Sequence, residues 1–164
     1  MKPNQLKSTE ALFKSYGRGM YNICYRMIGN KQDAEDVLQD AFYKAYTKIG
    51  SLRSKDSFGA WIRQIVVNEC LLFLRSRVYF TELEAAEKQP DDDDYHWMKM
   101  ISMQRINDEI RKLPDGCRIV FNLFLLENYS HREIATMLEI SESTSKSQYQ
   151  RARQLLRNQL KKEM

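Results

Sequence analysis

The sequence predicts an all-α protein of two small helical domains joined by a flexible acidic linker. Three observations carry this expectation. Each periodic stretch repeats its apolar residues at steps of three or four, the spacing of one helix face. The 164 residues include only 6 Gly and 3 Pro, so little interrupts long helices. Charge falls in blocks: residues 1–76 hold 12 Lys/Arg and 7 Asp/Glu, residues 77–97 hold 2 and 7, and residues 98–164 hold 12 and 8. Two basic blocks around an acidic one suit two polyanion-binding modules on a tether. The predicted division is a first domain over 1–77, a linker over 78–97 and a second domain over 98–164.

With 43% hydrophobic and 29% charged residues the chain is globular rather than disordered. No apolar run approaches the roughly 18 residues of a membrane span. The N-terminus lacks an apolar signal core, so a cytoplasmic location is expected. Cys24, Cys70 and Cys117 are odd in number and far apart, without a CxxC or a nearby His pair. They suit small core residues in a reducing compartment better than a disulfide or zinc framework. No cofactor is expected, and no metal site.

In chain order, Ala11 to Ile28 reads as a helix stopped by Gly29-Asn30, with Gly17 and Gly19 weakening its continuity. Ala34, Val37, Leu38, Ala41, Phe42, Ala45 and Ile49 then form one apolar stripe. Asp33 is placed to cap that helix, with Asp36 in its first turn. Gly50 to Ser57 is a polar loop. A third helix from Phe58 to Arg77 is expected to bury Trp61, Ile62, Ile65 and Leu72. Residues 78–97 lose the period and contain Pro90 and the run Asp91 to Asp94, hence the linker.

The second block opens with Met98 to Leu113, whose apolar face is Met103, Ile106, Ile110 and Leu113. "LPDG" breaks the chain. Cys117 to Leu126 is a strongly apolar helix ended by Asn128-Tyr129. Ser130 and Glu133 form a capping box that starts a helix at His131, burying Ile134, Ala135 and Leu138. Glu139-Ile140-Ser141 makes a corner, and Ser141 caps a last helix beginning at Glu142. Its far half buries Ala152, Leu155, Leu156 and Leu160. Its near half offers Ser143, Thr144, Lys146, Ser147, Gln148, Tyr149, Arg151 and Arg153, side chains suited to base edges and phosphates.

Three stretches resemble the sigma-70 family of RNA polymerase sigma factors, in its extracytoplasmic-function group. "DAEDVLQDAFYKAY" (Asp33 to Tyr46) resembles the family's polymerase-docking helix. "SFGAWIRQIVVNECLLFLRSR" (Ser57 to Arg77) resembles the helix that reads the minus-ten promoter element. The stretch from Leu113 to Leu156 resembles the domain that reads the minus-thirty-five element. The resemblance implies a region 2 helical bundle, a region 4 helix-turn-helix, and promoter-directed initiation without catalysis. It implies core RNA polymerase and promoter DNA as partners, an anti-sigma factor as regulator, and no small-molecule substrate. It assigns Glu35, Asp36, Gln39 and Asp40 to polymerase. It assigns Ser54, Lys55, Asp56, Ser57, Arg63, Asn68, Arg75 and Arg77 to minus-ten DNA, with the loop from Leu52 capturing a flipped base. Trp61 is assigned to the core. Two departures stand out: Glu139 occupies a corner position where the family has Gly, and Ser143 replaces another Gly.

Two rivals stand beside this reading. One is a stand-alone helix-turn-helix regulator that acts without polymerase. The other is a nucleic-acid-processing enzyme, which the missing carboxylate cluster, phosphate loop and Ser/His/Asp set argue against. His96 and His131 read as exposed polar residues.

Overall fold

The computed structural model describes residues 3–78, 80 and 101–162; the sequence's linker, with His96, lies almost wholly outside the described residues. The chain divides into two compact units, Met1–Ser76 and Arg77–Met164. Among the described residues there are helices and turns and no strand.

The first unit is a bundle of α1 (Pro3–Ile28), α2 (Lys31–Lys48) and α3 (Phe58–Arg75), each packed on the other two. α1 runs unbroken through Gly17 and Gly19. Packing of its buried face over Met20, Ile23, Cys24 and Met27 outweighs their helix cost of about 1 kcal/mol each. It stops where Gly29 adopts φ 83°, a conformation that costs Gly little. Asn30 then caps α2 by accepting the Asp33 N–H at 3.0 Å. Asp33 is therefore a first-turn acid facing the helix dipole rather than the cap, and Asp36 lies one turn further on.

α2 buries Ala34, Val37, Ala41 and Ala45, and its three fully buried alanines let neighbouring backbones approach closely. The α3 core stripe is Phe58, Ile62, Val66, Val67, Cys70, Leu71 and Leu74. Ile62 is buried as the sequence predicts, and the other three positions are corrected: Leu72 is 57% exposed, while Trp61 and Ile65 are only half-buried. Phe58 is the aromatic hub, with Phe13 and Tyr16 each at 5.3 Å and Trp61 at 5.8 Å. A Cβ on Gly59 would come within 2.9 Å of the Tyr16 hydroxyl, so a larger residue there would have to push that ring aside. Lys44 on α2 reaches the largely buried Glu69 on α3 at 2.7 Å. By length and hydropathy alone Lys55–Arg75 is apolar enough to cross a membrane. Its apolar stripe is the core of the bundle instead.

The second unit contains α4 (Met103–Arg111), α5 (Asp115–Phe121), α6 (His131–Leu138) and α7 (Glu142–Lys161), with α7 as the spine against which the other three pack. α4 begins at Met103, residues 101 and 102 being non-helical; Met98, where the sequence places the start of this block, lies outside the described residues. The apolar face of α4 is Ile106, Ile110 and the following Leu113, whereas Met103 is 61% exposed. α5 begins two residues before Cys117 and ends in a wide π turn, Asn122–Leu126, where the Glu127 N–H bonds the Asn122 carbonyl at 3.0 Å. Arg118 is 5% exposed; its guanidinium donates to the Leu113 carbonyl at 3.1 Å and to Asp115 at 2.7 Å. It thereby satisfies a carbonyl of the turn that follows α4.

Both expected caps are present. Ser130 Oγ accepts the Glu133 N–H while the Glu133 carboxylate accepts the Ser130 N–H, and Ser141 Oγ accepts the Thr144 N–H at 2.9 Å. Those bonds hold the Glu133 carboxyl below the usual carboxylate range. Between the caps Glu139 sits at φ 57°, ψ 42°, the left-handed region that costs a non-Gly residue about 1–2 kcal/mol. Ala135, Leu138 and Leu155 are half-buried rather than buried; Ile134, Ala152, Leu156 and Leu160 are in the core.

Candidate functional site

Three surfaces emerge, two on the first unit and one on the second. On α2, Glu35, Asp36, Gln39 and Asp40 are all exposed, and at 100° per residue they share an arc of about 140° opposite the alanine stripe. Glu35 makes only a long, solvated pair with Lys31 at 4.0 Å. Two residues missed in the sequence share this arc: Tyr43 and Tyr46, 72% and 46% exposed. Their phase relative to Asp36 and Asp40 was the available signal. Such a face offers acids for a cationic partner and aromatic area for a protein contact.

The second surface combines the loop before α3 with α3 itself. Leu52–Ser57 is organised by local bonds. The Ser54 hydroxyl accepts the Asp56 N–H at 3.2 Å, and the Ser57 hydroxyl donates to the Ser54 carbonyl at 2.7 Å. Ser54, Lys55, Asp56 and Ser57 are all exposed. On α3, Asn68 and Arg75 are exposed, and their spacing of seven puts them on one face with half-buried Trp61 and Ile65 and exposed Leu72. That face is mixed, polar groups alternating with apolar ones, so Trp61 is not the core residue the sequence suggested. Arg63 is exposed but lies about 140° round the helix from Asn68, so the two do not act on one face. Arg77 is exposed just beyond α3.

The third surface is the near half of α7. Here the structure separates the eight sequence candidates. Ser143, Lys146 and Arg151 are exposed, and Ser147 and Arg153 half-buried. Thr144, Gln148 and Tyr149 are only 5%, 4% and 5% exposed and face the core, not a groove. Thr144 closes the cap with Ser141. Gln148 accepts the Cys117 thiol at 3.1 Å, and burial pushes that thiol up to about 11. Tyr149 lies in an aromatic cluster with Phe121, Phe124 and His131, and Arg153 stands 5.7 Å over its ring. Lys146 pairs with Glu142 at 2.9 Å, a bond that holds the Glu142 carboxyl below its usual value.

His131 corrects another expectation, because it is built in rather than exposed. Its ring stacks on Phe124 at 4.2 Å, and Nδ1 meets Ser145 Oγ on α7 at 2.9 Å. It thus clamps α6 to α7 in the crossing of a helix-turn-helix. Burial, with the nearby Lys146 charge, lowers its proton affinity. The three cysteines are free and buried. Among the described residues no group of three or more His, Cys, Asp or Glu side chains could hold a metal ion.

Comparison with known proteins agrees with this layout. The family described as Sigma-70 region 2 matches residues 12–78, and that described as Sigma-70, region 4, matches residues 103–156. The chain is 31% identical to the ECF RNA polymerase sigma factor SigW of Bacillus subtilis over 165 residues, covering 89% of this chain and 85% of that protein. It is 30% identical to the ECF RNA polymerase sigma factor SigM of Mycobacterium tuberculosis, covering 88% and 72%. Among solved structures, the sigma factor RpoE of Bartonella quintana, in complex with the anti-sigma factor NepR, shares the fold. The TM-score is 0.55 at 21% identity, over 94% of this chain and 98% of that one. The chain therefore belongs to the extracytoplasmic-function group of sigma-70 factors.

Proposed function

We infer that the protein binds core RNA polymerase, directs it to particular promoters and assists strand opening, with no catalysis of its own. One observation carries this: region 2 and region 4 occur in order on one chain. A stand-alone helix-turn-helix regulator needs only the second. The exposed acids of α2 support polymerase docking through Glu35, Asp36, Gln39 and Asp40, with Tyr43 and Tyr46 enlarging the contact. The exposed loop Ser54, Lys55, Asp56 and Ser57, with Asn68, Arg75 and Arg77, supports contact with the minus-ten element. Arg63 serves a separate phosphate. In region 4, Ser143, Lys146, Ser147, Arg151 and Arg153 face the minus-thirty-five element. Partnership with an anti-sigma factor is supported by the complex in which its solved relative was seen. Work on RNA polymerase places the protein in the cytoplasm.

The test is a gel shift on promoter DNA with and without core polymerase. Specific retardation is expected only with polymerase. Tight specific binding by the protein alone would return the stand-alone regulator. Reversing Asp36 and Asp40 to Lys should abolish co-purification with core polymerase and leave stability within about 0.5 kcal/mol, because both are exposed. Wild-type co-purification by a folded double variant would sink the docking assignment.

A further inference from the structure

The buried residues of α7 fix its helical phase, and that phase leaves on the outward arc a residue absent from the sequence-derived set. Ser145, Gln148, Tyr149, Ala152, Leu156 and Leu160 face the core. At 100° per residue the direction opposite their mean falls between Gln154 and Ser147, and half-buried Gln150 lies about 50° from it. Ser143, Lys146, Ser147 and Gln150 then share an outward arc of about 100° in the first half of the helix, the part of a recognition helix that meets base edges. The other three are less free to read a base. Lys146 is held by Glu142 at 2.9 Å, and the Ser147 hydroxyl donates to the Thr144 carbonyl at 3.0 Å. Ser143 is too short to span a base edge by a two-point contact. The Gln150 amide enters no hydrogen bond among the described residues. Its small neighbours Ser143 and Ser147 let the helix sit deep enough for its side chain to reach the groove floor.

We propose that Gln150 is a specificity-determining residue that reads one adenine of the upstream promoter element. The amide offers a donor and an acceptor side by side, which matches adenine N7 and N6 in the major groove and no other base. The inference rests on α7 being the groove-entering helix. It differs from the phosphate contacts of Arg151 and Lys146, which carry affinity without sequence.

The experiment is selection of preferred upstream elements from a randomised promoter by the reconstituted holoenzyme. Wild-type protein is compared with Gln150→Ala, Gln150→Glu and Lys146→Ala, each checked for wild-type helical content. Wild type should require A at one position. Gln150→Ala should lose that requirement, with binding to the original element down about tenfold, every other position unchanged and the salt slope unchanged. Gln150→Glu should move the preference at that same position toward C, whose N4 amine donates to a carboxylate. Retention of the full wild-type preference by both Gln150 variants overturns the proposal. So does a uniform loss on all sequences with a shallower salt slope, which would make Gln150 a phosphate contact. If Lys146→Ala weakens promoter binding while the Gln150 variants are silent, only this inference fails. If no α7 variant alters binding or preference, the groove-entering assignment of α7 fails with it.

Discussion

The two units bury different kinds of material. The core of the first is apolar along all three helices, and among the described residues its buried side chains include only one polar one, Thr9. The second buries Glu109, Arg118, Asn122, Thr144, Ser145 and Gln148 and carries a left-handed Glu139. Long helices can bury a whole stripe and leave the opposite side to function. Short helices joined by tight corners expose many backbone groups at their ends, and internal polar side chains must satisfy them. Surface function in the first unit is thus separable from stability. In the second, three of the eight α7 side chains expected at a surface, Thr144, Gln148 and Tyr149, belong to the core.

The sharpest test of the apolar side is Phe58→Ala. Removing the hub of four aromatic side chains should cost about 4 kcal/mol in urea unfolding. A loss under 1 kcal/mol would mean the first core is not organised around it. Gln148→Ala probes the polar side. It strips the Cys117 thiol of its acceptor and should cost about 2 kcal/mol while leaving promoter choice intact. A stable variant with altered promoter preference would restore Gln148 to the DNA face and break the contrast.

Glu139→Gly should stabilise the second unit by about 1 kcal/mol, since Gly adopts the left-handed conformation freely. Unchanged or lower stability would show that the Glu139 side chain contributes there. The smallest effect concerns pH. His131 is held below its usual 6.5 first by burial and then by Lys146, with Glu142 opposing. Above 6.5 the ring is neutral in folded and unfolded chains, and this share of stability is complete. As pH falls from 6.5 through the lower folded value the unfolded chain takes up the proton first, and stability drops. Urea midpoints between pH 8 and pH 5 should show the fall, and His131→Phe should flatten it. An equal slope in both proteins would assign the dependence elsewhere.

Much of this was legible in the sequence, for reasons visible residue by residue. The alanine-rich stripe of α2 and the Ser130–Glu133 capping box are local patterns, and local patterns survive into the fold. The errors on α3 and α7 share one cause, in that polarity or size was allowed to override phase. On α3 Ile62 is read correctly, but Trp61, Ile65 and Leu72 are set beside it in place of Val66 and Cys70, because their large side chains mark them. On α7, stepping back from Ala152 by three, four and seven residues reaches Tyr149, Gln148 and Ser145, so the phase already placed them inside. His131 could not be found this way. Its clamp depends on Phe124 and Ser145, seven residues before it and fourteen after.

The buried thiol of Cys117 has a use beyond packing. Alkylating reagents attack the thiolate, and with a pKa of about 11 only about one part in a thousand of Cys117 is thiolate at pH 8. An unfolded cysteine, near 8.5, is about a quarter ionised at that pH. Cys117 therefore reacts at an appreciable rate only in molecules whose second unit has opened around it. Its labelling rate counts those openings, so the chain carries its own clock for how often region 4 comes apart, on polymerase or off it.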